Sequence, residues 1–355
     1  MATRYRVAQV GAGYRGATHV DGFLRNPDRF ELVALCDLDE AKLKRVAAEF
    51  GVGRTYADAD AMLAATRPDV FCFVTQPNVR LAMVELAVRH GVRAIAMEKP
   101  MATSLGEAQA ITDLCRTHGI KAVVSHQQKY LTSMQKLRAI VGGGEIGEVT
   151  ALHATCQAWM AQLGTHYMDY TLWVNGGQRA RWVVGHVHGK QKLADSHPSP
   201  DFILGEVLLA NGVRAFIECG YLSPSHMDKD HFWVDDRLTA FGTHGYAWAD
   251  TDGRWRAMTR ASRGEVVGED GDPWSVQEKH RLQPLYLRDL ADWLDDDARV
   301  HPCNVEISYH GYEILEGLCL SALEHRRVDL PLDPRAHGDL NERMARELPD
   351  VPPPA

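Results

Sequence analysis

The sequence predicts an α/β chain in two parts: an N-terminal doubly wound parallel sheet and a C-terminal α+β domain on an open-faced, largely antiparallel sheet. Three observations predict it. Over residues 1–125, apolar runs of strand length alternate with helical patterns, which implies βαβ units and a parallel sheet covered on both faces. After Gly142-Gly143-Gly144 that alternation gives way to longer β-rich stretches. The length, 355 residues, is about twice that of a usual single domain.

Tyr5 to Val10 is an apolar strand run, and Gly16 to Arg25 reads as the helix after it. Glu31 to Cys36 is a second strand, followed by a charged helix over Asp39 to Phe50. Asp69 to Val74, Ala94 to Met97 and Lys121 to Ser125 are further strands, separated by helical patterns at Val79 to His90 and Ser104 to His118. Crossovers in such a sheet are right-handed. The second part shows strands at Glu148 to Gln157, Ala180 to Val187, Gly205 to Leu209, Val213 to Cys219 and Phe232 to Phe241. Asn211-Gly212 joins two of these runs as a hairpin turn. Helical patterns stand at Leu163 to Trp173, Val276 to Leu294 and Glu306 to Leu323. The expected boundaries are residues 1–125 for the first domain, 126–335 for the second and 336–355 for a tail whose end, Pro352 to Ala355, frays.

Composition narrows the function classes. A 45% hydrophobic and 24% charged chain is ordinary for a globular protein. The net charge of −8, without a run of Lys and Arg, argues against nucleic-acid binding. Seven scattered cysteines without a CxxC pair fit a reducing cytoplasm better than a disulfide framework. No apolar stretch approaches the roughly 20 residues of a membrane span. The expectation is a soluble cytoplasmic protein with no membrane or metal partner.

Gly11-Ala12-Gly13-Tyr14-Arg15-Gly16 follows the first strand and opens a helix. A helix N-terminus offers free N–H groups and a favourable dipole to a phosphate. The glycines allow the tight turn, the close approach of backbone to pyrophosphate and helix–strand packing, so residues 11, 13, 14, 15 and 16 are the candidate cofactor turn. Asp37 ends the second strand, where an acid accepts hydrogen bonds from ribose hydroxyls and repels a 2′-phosphate. No Lys or Arg follows it in Leu38-Asp39-Glu40, so the expected cofactor is NAD rather than NADP. The alternative for Asp37 is a helix N-cap. Thr75, Gln76, Pro77 and Asn78 follow the next buried strand and are candidates to border the cofactor, with Asn78 alternatively a cap. Glu98-Lys99-Pro100 then follows the strand at Ala94 to Met97, presenting Lys99 to the cofactor's reactive end.

At that motif the chain resembles the Gfo/Idh/MocA oxidoreductases, the group containing glucose–fructose oxidoreductase and inositol dehydrogenase. The resemblance runs in order through GAGYRG, the strand ending at Asp37, VTQPN, MEKP, VVSHQQKY (residues 123–130), GGGEIGEV (142–149) and GTHYMDYTLW (164–173). It implies a Rossmann domain joined to an α+β substrate and oligomerisation domain, and a Lys99-Pro100 bond that is often cis. It also implies that Lys99 is the active-site lysine, that His166 acts as acid or base, that Asp169 matches a carboxylate one turn later, and that Gln127 lies near the nicotinamide end. Gln162 stands where relatives of inositol dehydrogenase carry Asp. Residues 162, 166 and 169 are expected to share a helix face, and a neutral amide does not stabilise an imidazolium as a carboxylate does. Leu81 replaces the family's usual His after the Pro-Asn turn.

Histidine, with an unperturbed pKa of about 6.5, is a better base at neutral pH than lysine at about 10.4. The expected mechanism therefore takes His166 as primary base and Lys99 as the group polarising the substrate oxygen, with the reverse assignment open. The polar, carboxylate-poor constellation without an Arg clamp suits a neutral polyhydroxylated small molecule: a sugar, a sugar derivative or a cyclitol. Two alternatives remain, a glycoside hydrolase using transient NAD redox and a non-catalytic dinucleotide sensor. An open sheet face also predicts a homo-oligomer, dimer or tetramer. Trp159 and Trp173 could stack on a sugar ring, though aromatics near a domain core more often fill it. The polar loop Asp195 to Asp201 is a candidate to rim the pocket, with a plain surface loop the alternative. His186 and His188, on one strand face, are expected to be exposed rather than metal-bound.

Overall fold

The computed structural model describes residues 3–227 and 232–351, so the expected fraying of Pro352 to Ala355 lies outside the described residues. The chain divides into two compact units, residues 1–102, 107–127 and 275–306 in the first and residues 103–106, 128–274 and 307–355 in the second.

The first unit holds β1 (Tyr5–Val10), β2 (Phe30–Cys36), β3 (Thr55–Tyr56), β4 (Val70–Phe73), β5 (Ala94–Met97) and β6 (Lys121–Val124). They form one sheet in the order β3-β2-β1-β4-β5-β6, and every pair is parallel. That order reverses direction beside β1, the topological switch point where doubly wound sheets bind ligands at strand C-termini. The two central strands β4 and β5 are buried at every residue, as a sheet covered on both faces requires. Val20, Leu35, Leu43 and Val46 join the first helices to the sheet as one buried cluster. Each such side chain contributes roughly 1.5–3 kcal/mol by leaving water. The two-residue edge strand β3 is too short to template aggregation.

The boundaries differ from expectation in one consequential way: residues 275–306 belong to the first unit, not the second. The helix Gln283–Asp295 buries Tyr286, Leu287, Leu290 and Ala291 there. Arg29 makes ion pairs to Asp292 and, at 2.6 Å, to Asp295, while Asn26 Nδ2 donates to the Pro284 carbonyl at 3.0 Å. Periodicity tells that a helix buries a face; it does not tell which sheet it meets. The following segment flanks β6, where Val124 N donates to the Cys303 carbonyl at 3.0 Å.

The second unit is a nine-stranded sheet in the order β14-β13-β12-β11-β7-β10-β9-β8-β15. Its strands are β7 (Val149–Cys156), β8 (Ala180–His188), β9 (Phe202–Leu209), β10 (Arg214–Gly220), β11 (Asp236–Gly242), β12 (Gly245–Ala249), β13 (Arg254–Met258), β14 (Val267–Asp270) and β15 (Val328–Asp329). The β7–β10 pair is parallel and the other pairs are antiparallel. The Asn211-Gly212 turn closes β9 onto β10 as expected, with Gly212 at φ +86°. Strands β12 to β14 were not legible, because they are short and carry Gly, Arg and acidic residues in place of clean apolar alternation. The expected strand over Phe232 to Phe241 begins only at Asp236. One face buries Leu152, Ile203, Val207, Ile217 and Leu238. On the alternating positions Leu204 and Phe241 stay exposed.

The expected tail is partly ordered. Asp39 and Asp339 each cap a helix, and the second of these helices, Leu340–Glu347, buries Leu340 and Met344. No helix among the described residues is long and apolar enough to cross a membrane. All seven cysteines are unbridged and buried.

Candidate active site

In the first unit the glycine turn is shaped by what each position excludes. Gly11 has φ +96°, and a Cβ there would sit 2.3 Å from the Val74 carbonyl oxygen. A Cβ on Gly16 would sit 2.2 Å from the Gly11 carbonyl oxygen, so helix and turn meet without room for a methyl group. Gly13 differs: nothing lies within 4 Å of its Cβ position. Gly13 also begins the helix Tyr14–Leu24 with no side-chain cap, leaving the turn open where a pyrophosphate is held at a helix N-terminus. Buried Gln9 supports the turn from below, its Nε2 donating to the carbonyls of Gly11 and Gly16, both at 2.9 Å. Tyr14 is exposed beside it.

Asp37 stands at the end of β2. Its Oδ2 accepts from Ala12 N at 2.6 Å and its Oδ1 from Asp39 N at 2.8 Å, which locks the carboxylate against the glycine turn. The helix that follows is capped by Asp39, not Asp37, so the cap alternative for Asp37 falls away. Pro77 and Asn78 lie in a short 3-10 turn, Pro77–Val79, and the next helix is capped by Val79 rather than by Asn78. Gln76 and Asn78 are exposed and Thr75 is half-buried. The open turn, the helix N-terminus and the fixed acid fit a dinucleotide with free ribose hydroxyls.

Around Lys99 the first unit builds a buried ionic network. Glu98 Oε1 takes His19 Nε2 at 3.0 Å and Arg15 at 3.4 Å, and Arg15 also binds Glu278. With its amide oxygen toward Arg15, Gln127 accepts from Nη2 at 2.8 Å and donates to the Ser125 carbonyl at 2.8 Å. Burial opposes the charge on Glu98, but Arg15, His19 and Lys99 outweigh it and hold the carboxyl well below its usual range. Burial likewise opposes the charge on Arg15, and Glu98 and Glu278 overcome it and keep the guanidinium protonated. Arg15 is therefore anchored by carboxylates within the protein. Lys99 N donates to Glu98 Oε2 at 3.2 Å, and the Lys99-Pro100 bond is cis. Burial lowers the Lys99 amine to about 8; Glu98 works against this and the positive charges of Arg15 and Arg80 add to it. An amine near that value is a competent base close to neutral pH.

In the second unit the helix Thr165–Val174 is buried along its whole length and is preceded by a π-helical turn, Met160–Gly164. Gln162 lies in that turn, so the expected single α-helical face through residues 162, 166 and 169 is interrupted; π turns are frequent at functional sites. Tyr170 OH donates to Gln128 Oε1 at 3.0 Å and lies 2.8 Å from His166 Nδ1. A phenol that gives its one proton to an amide oxygen receives the Nδ1 proton, and the imidazole lone pair is thereby placed on Nε2. Asp169 Oδ1 accepts from Lys129 Nζ at 2.8 Å, both side chains fully buried. Its charge is thus matched by a cation that the sequence analysis did not single out.

Lys129 and Glu278 were missed because their partners lie 40 and 263 positions away. Gln9, Arg80 and Tyr170 meet partners nearby in sequence, Tyr170 four positions after His166, and spacing alone could have pointed to them. Both tryptophans pack within the second unit, the alternative the sequence favoured. Trp159 stacks on Phe232 with centroids 5.8 Å apart and carries Lys192 Nζ 4.1 Å from its centroid. Trp173 is buried with the Arg138 guanidinium 4.5 Å from its centroid. In the polar loop, Asp201 is buried and accepts from Lys192 N at 2.6 Å. His310 is buried structurally, accepting from Ala180 N at 2.8 Å. Among the described residues no group of three or more His, Cys, Asp or Glu is placed to hold a metal ion.

A glycine turn after the first strand, an acid after the second and a half-buried lysine after the fifth define a dinucleotide-binding α/β protein. Residues 5–126 match the family described as oxidoreductases with an NAD-binding Rossmann fold. Over those residues the chain is similar to that family, the Gfo/Idh/MocA oxidoreductases. It is 33% identical over 144 residues to D-apiose dehydrogenase of Paraburkholderia graminis, a match spanning 41% of this chain and 38% of that enzyme. It is 25% identical over 293 residues to D-glucoside 3-dehydrogenase of Escherichia coli, spanning 73% of this chain and 82% of that one. An oxidoreductase from Agrobacterium radiobacter, solved with NAD+, L-tartaric acid and magnesium, has the same fold: TM-score 0.77, 20% identity, 92% of this chain and 98% of that one.

Two predictions follow from this geometry. Gly13→Val will leave the unfolding midpoint within error of wild type and abolish NAD binding by calorimetry, whereas Gly16→Ala will destabilise the fold by about 1–3 kcal/mol through overpacking. Tyr170→Phe will keep the fold and lower kcat about tenfold, the worth of roughly 1.4 kcal/mol for one orienting hydrogen bond. An unchanged kcat would remove Tyr170 from the account.

Proposed function

We propose that the chain is an NAD-dependent oxidoreductase that transfers a hydride between a secondary hydroxyl of a neutral sugar, sugar derivative or cyclitol and nicotinamide. The observation that carries this reading is Lys99, half-buried at the end of β5, with its amine lowered to about 8 by burial and by its cationic neighbours. A surface lysine has no reason to be so placed. The relatives with sugar names support the substrate class, and the carboxylate at Asp37, held against the turn, supports NAD over NADP.

Lys99 and His166 are the candidate proton-handling groups. Lys99, uncharged above about pH 8, accepts the hydroxyl proton or polarises the oxygen that carries it. His166 offers its Nε2 lone pair, oriented through Nδ1 by Tyr170. The lowered value of Lys99 reverses the weight of the sequence expectation, in which His166 was the primary base. Bound NAD supplies the hydride acceptor. Asp169, paired with Lys129, maintains the helix that carries His166 rather than acting on substrate.

The test is NADH formation, followed by near-ultraviolet absorbance, across a panel of free sugars, cyclitols and glycosides, with Lys99→Ala beside wild type. We expect turnover with at least one polyol and a loss of about 10²–10⁴-fold in the variant. In the oxidation direction kcat/KM will rise about tenfold per pH unit below about 8 and level off above it, because only the unprotonated amine accepts a proton. Aglycone release without net NADH would move the reading to a redox-assisted hydrolase. Full turnover in Lys99→Ala would contradict the assignment outright.

A further inference from the structure

The first residue of the helix Arg80–Arg89 is an arginine with almost no solvent exposure, 1%. Arginine is rarely buried so completely unless a carboxylate meets it. Here none is hydrogen-bonded to it. Its Nη2 donates to two backbone carbonyls instead, Thr75 O at 2.8 Å and Lys99 O at 3.1 Å. Its Nε and Nη1 are buried without a hydrogen-bond partner among the described residues. The side chain thus bridges the chain segments leaving β4 and β5, neighbouring strands in register at Phe73 and Met97.

We propose that Arg80 is a positioning residue for Lys99: it fixes the lysine's backbone through the carbonyl and places a buried positive charge beside it, so that the amine is delivered uncharged. The inference rests on the reading of Lys99 as the proton-handling lysine. Its physical core is a competition between two cations in a poorly solvated place. The charged groups acting on Lys99 include Glu98, Arg15 and Arg80. Glu98 is already committed to Arg15 and His19. Glu278 matches Arg15, which leaves Glu98 facing both Arg80 and Lys99. Burial lowers Arg80 to about 9 and Lys99 to about 8, so the lysine yields its proton first. The two unpartnered nitrogens of Arg80 record a local cost kept in the fold, and such violations cluster at functional sites.

The experiment titrates Lys99 directly in the full-length protein, without relying on turnover. Trace acetic anhydride is applied across a pH series, and the modified fraction at Lys99 is read by peptide mass analysis in wild type, Arg80→Gln and Arg80→Lys. Only the neutral amine reacts. In wild type the midpoint is expected at about 8. In Arg80→Gln, loss of a neighbouring positive charge raises the midpoint by about one unit, so labelling at pH 8 falls about fivefold. Arg80→Lys gives up the two-carbonyl bridge and puts at position 80 an amine that burial can itself neutralise, so its midpoint lies between those of wild type and Arg80→Gln while kcat/KM falls. A folded Arg80→Gln protein with the wild-type midpoint would overturn the proposal. So would an Arg80→Lys midpoint below that of wild type, and this arm decides the matter alone if the Gln variant does not fold. The two readings fail separately. A midpoint indifferent to Arg80 while turnover still requires Lys99 removes Arg80 alone. An Arg80-dependent midpoint with full turnover in Lys99→Ala removes the proton-acceptor role and keeps the positioning effect.

Discussion

The partly buried ion pair between Arg15 and Glu98 is the contact on which the cofactor unit depends. It joins the helix after the glycine turn to the end of β5, and Glu278 on the other side of Arg15 ties in the segment that returns from late in the chain. Taking two charges out of water costs several kcal/mol per ion, and Coulomb attraction repays that only when the remaining valences are met. Here they are largely met: His19 and Lys99 N occupy Glu98, while Glu278 and Gln127 occupy Arg15. The arrangement is a poor way to gain stability and a good way to fix geometry. It sets the glycine turn and the backbone of Lys99 in one rigid frame.

The same frame determines the electrostatics at Lys99. Glu98 draws the amine toward its charged form, while burial and two guanidiniums push it the other way. The balance leaves a lysine poised near neutral pH, which is where an acid–base group works best. In the second unit the logic is different. His166 is set by hydrogen-bond direction through Tyr170 and Gln128 rather than by a charged neighbour, and the carboxylate of Asp169 is committed to Lys129. A Gln at position 162 is consistent with a histidine oriented by neutral partners.

Much of this was legible in the sequence because it is local. The glycine turn, Asp37, the strand before Lys99 and the helix bearing His166 are each written within a dozen residues, and five of the six strands of the parallel sheet follow from strand–helix alternation, the two-residue β3 being too short to show. What was not legible is what depends on distant pairing. Glu278 meets Arg15 across 263 positions, and Lys129 meets Asp169 across 40. The return of residues 275–306 to the first unit needs the same kind of information. The π turn at Met160–Gly164 broke a face that i, i+4 counting had drawn through Gln162.

The central claim is that Glu98 and the guanidiniums oppose one another in setting the charge of Lys99. It is tested most directly by titrating Lys99 in Glu98→Gln, a variant that keeps an acceptor oxygen and removes the charge. The account predicts that the midpoint falls below about 8, because the positive neighbours are then unopposed. A midpoint that stays in place or moves up would contradict it.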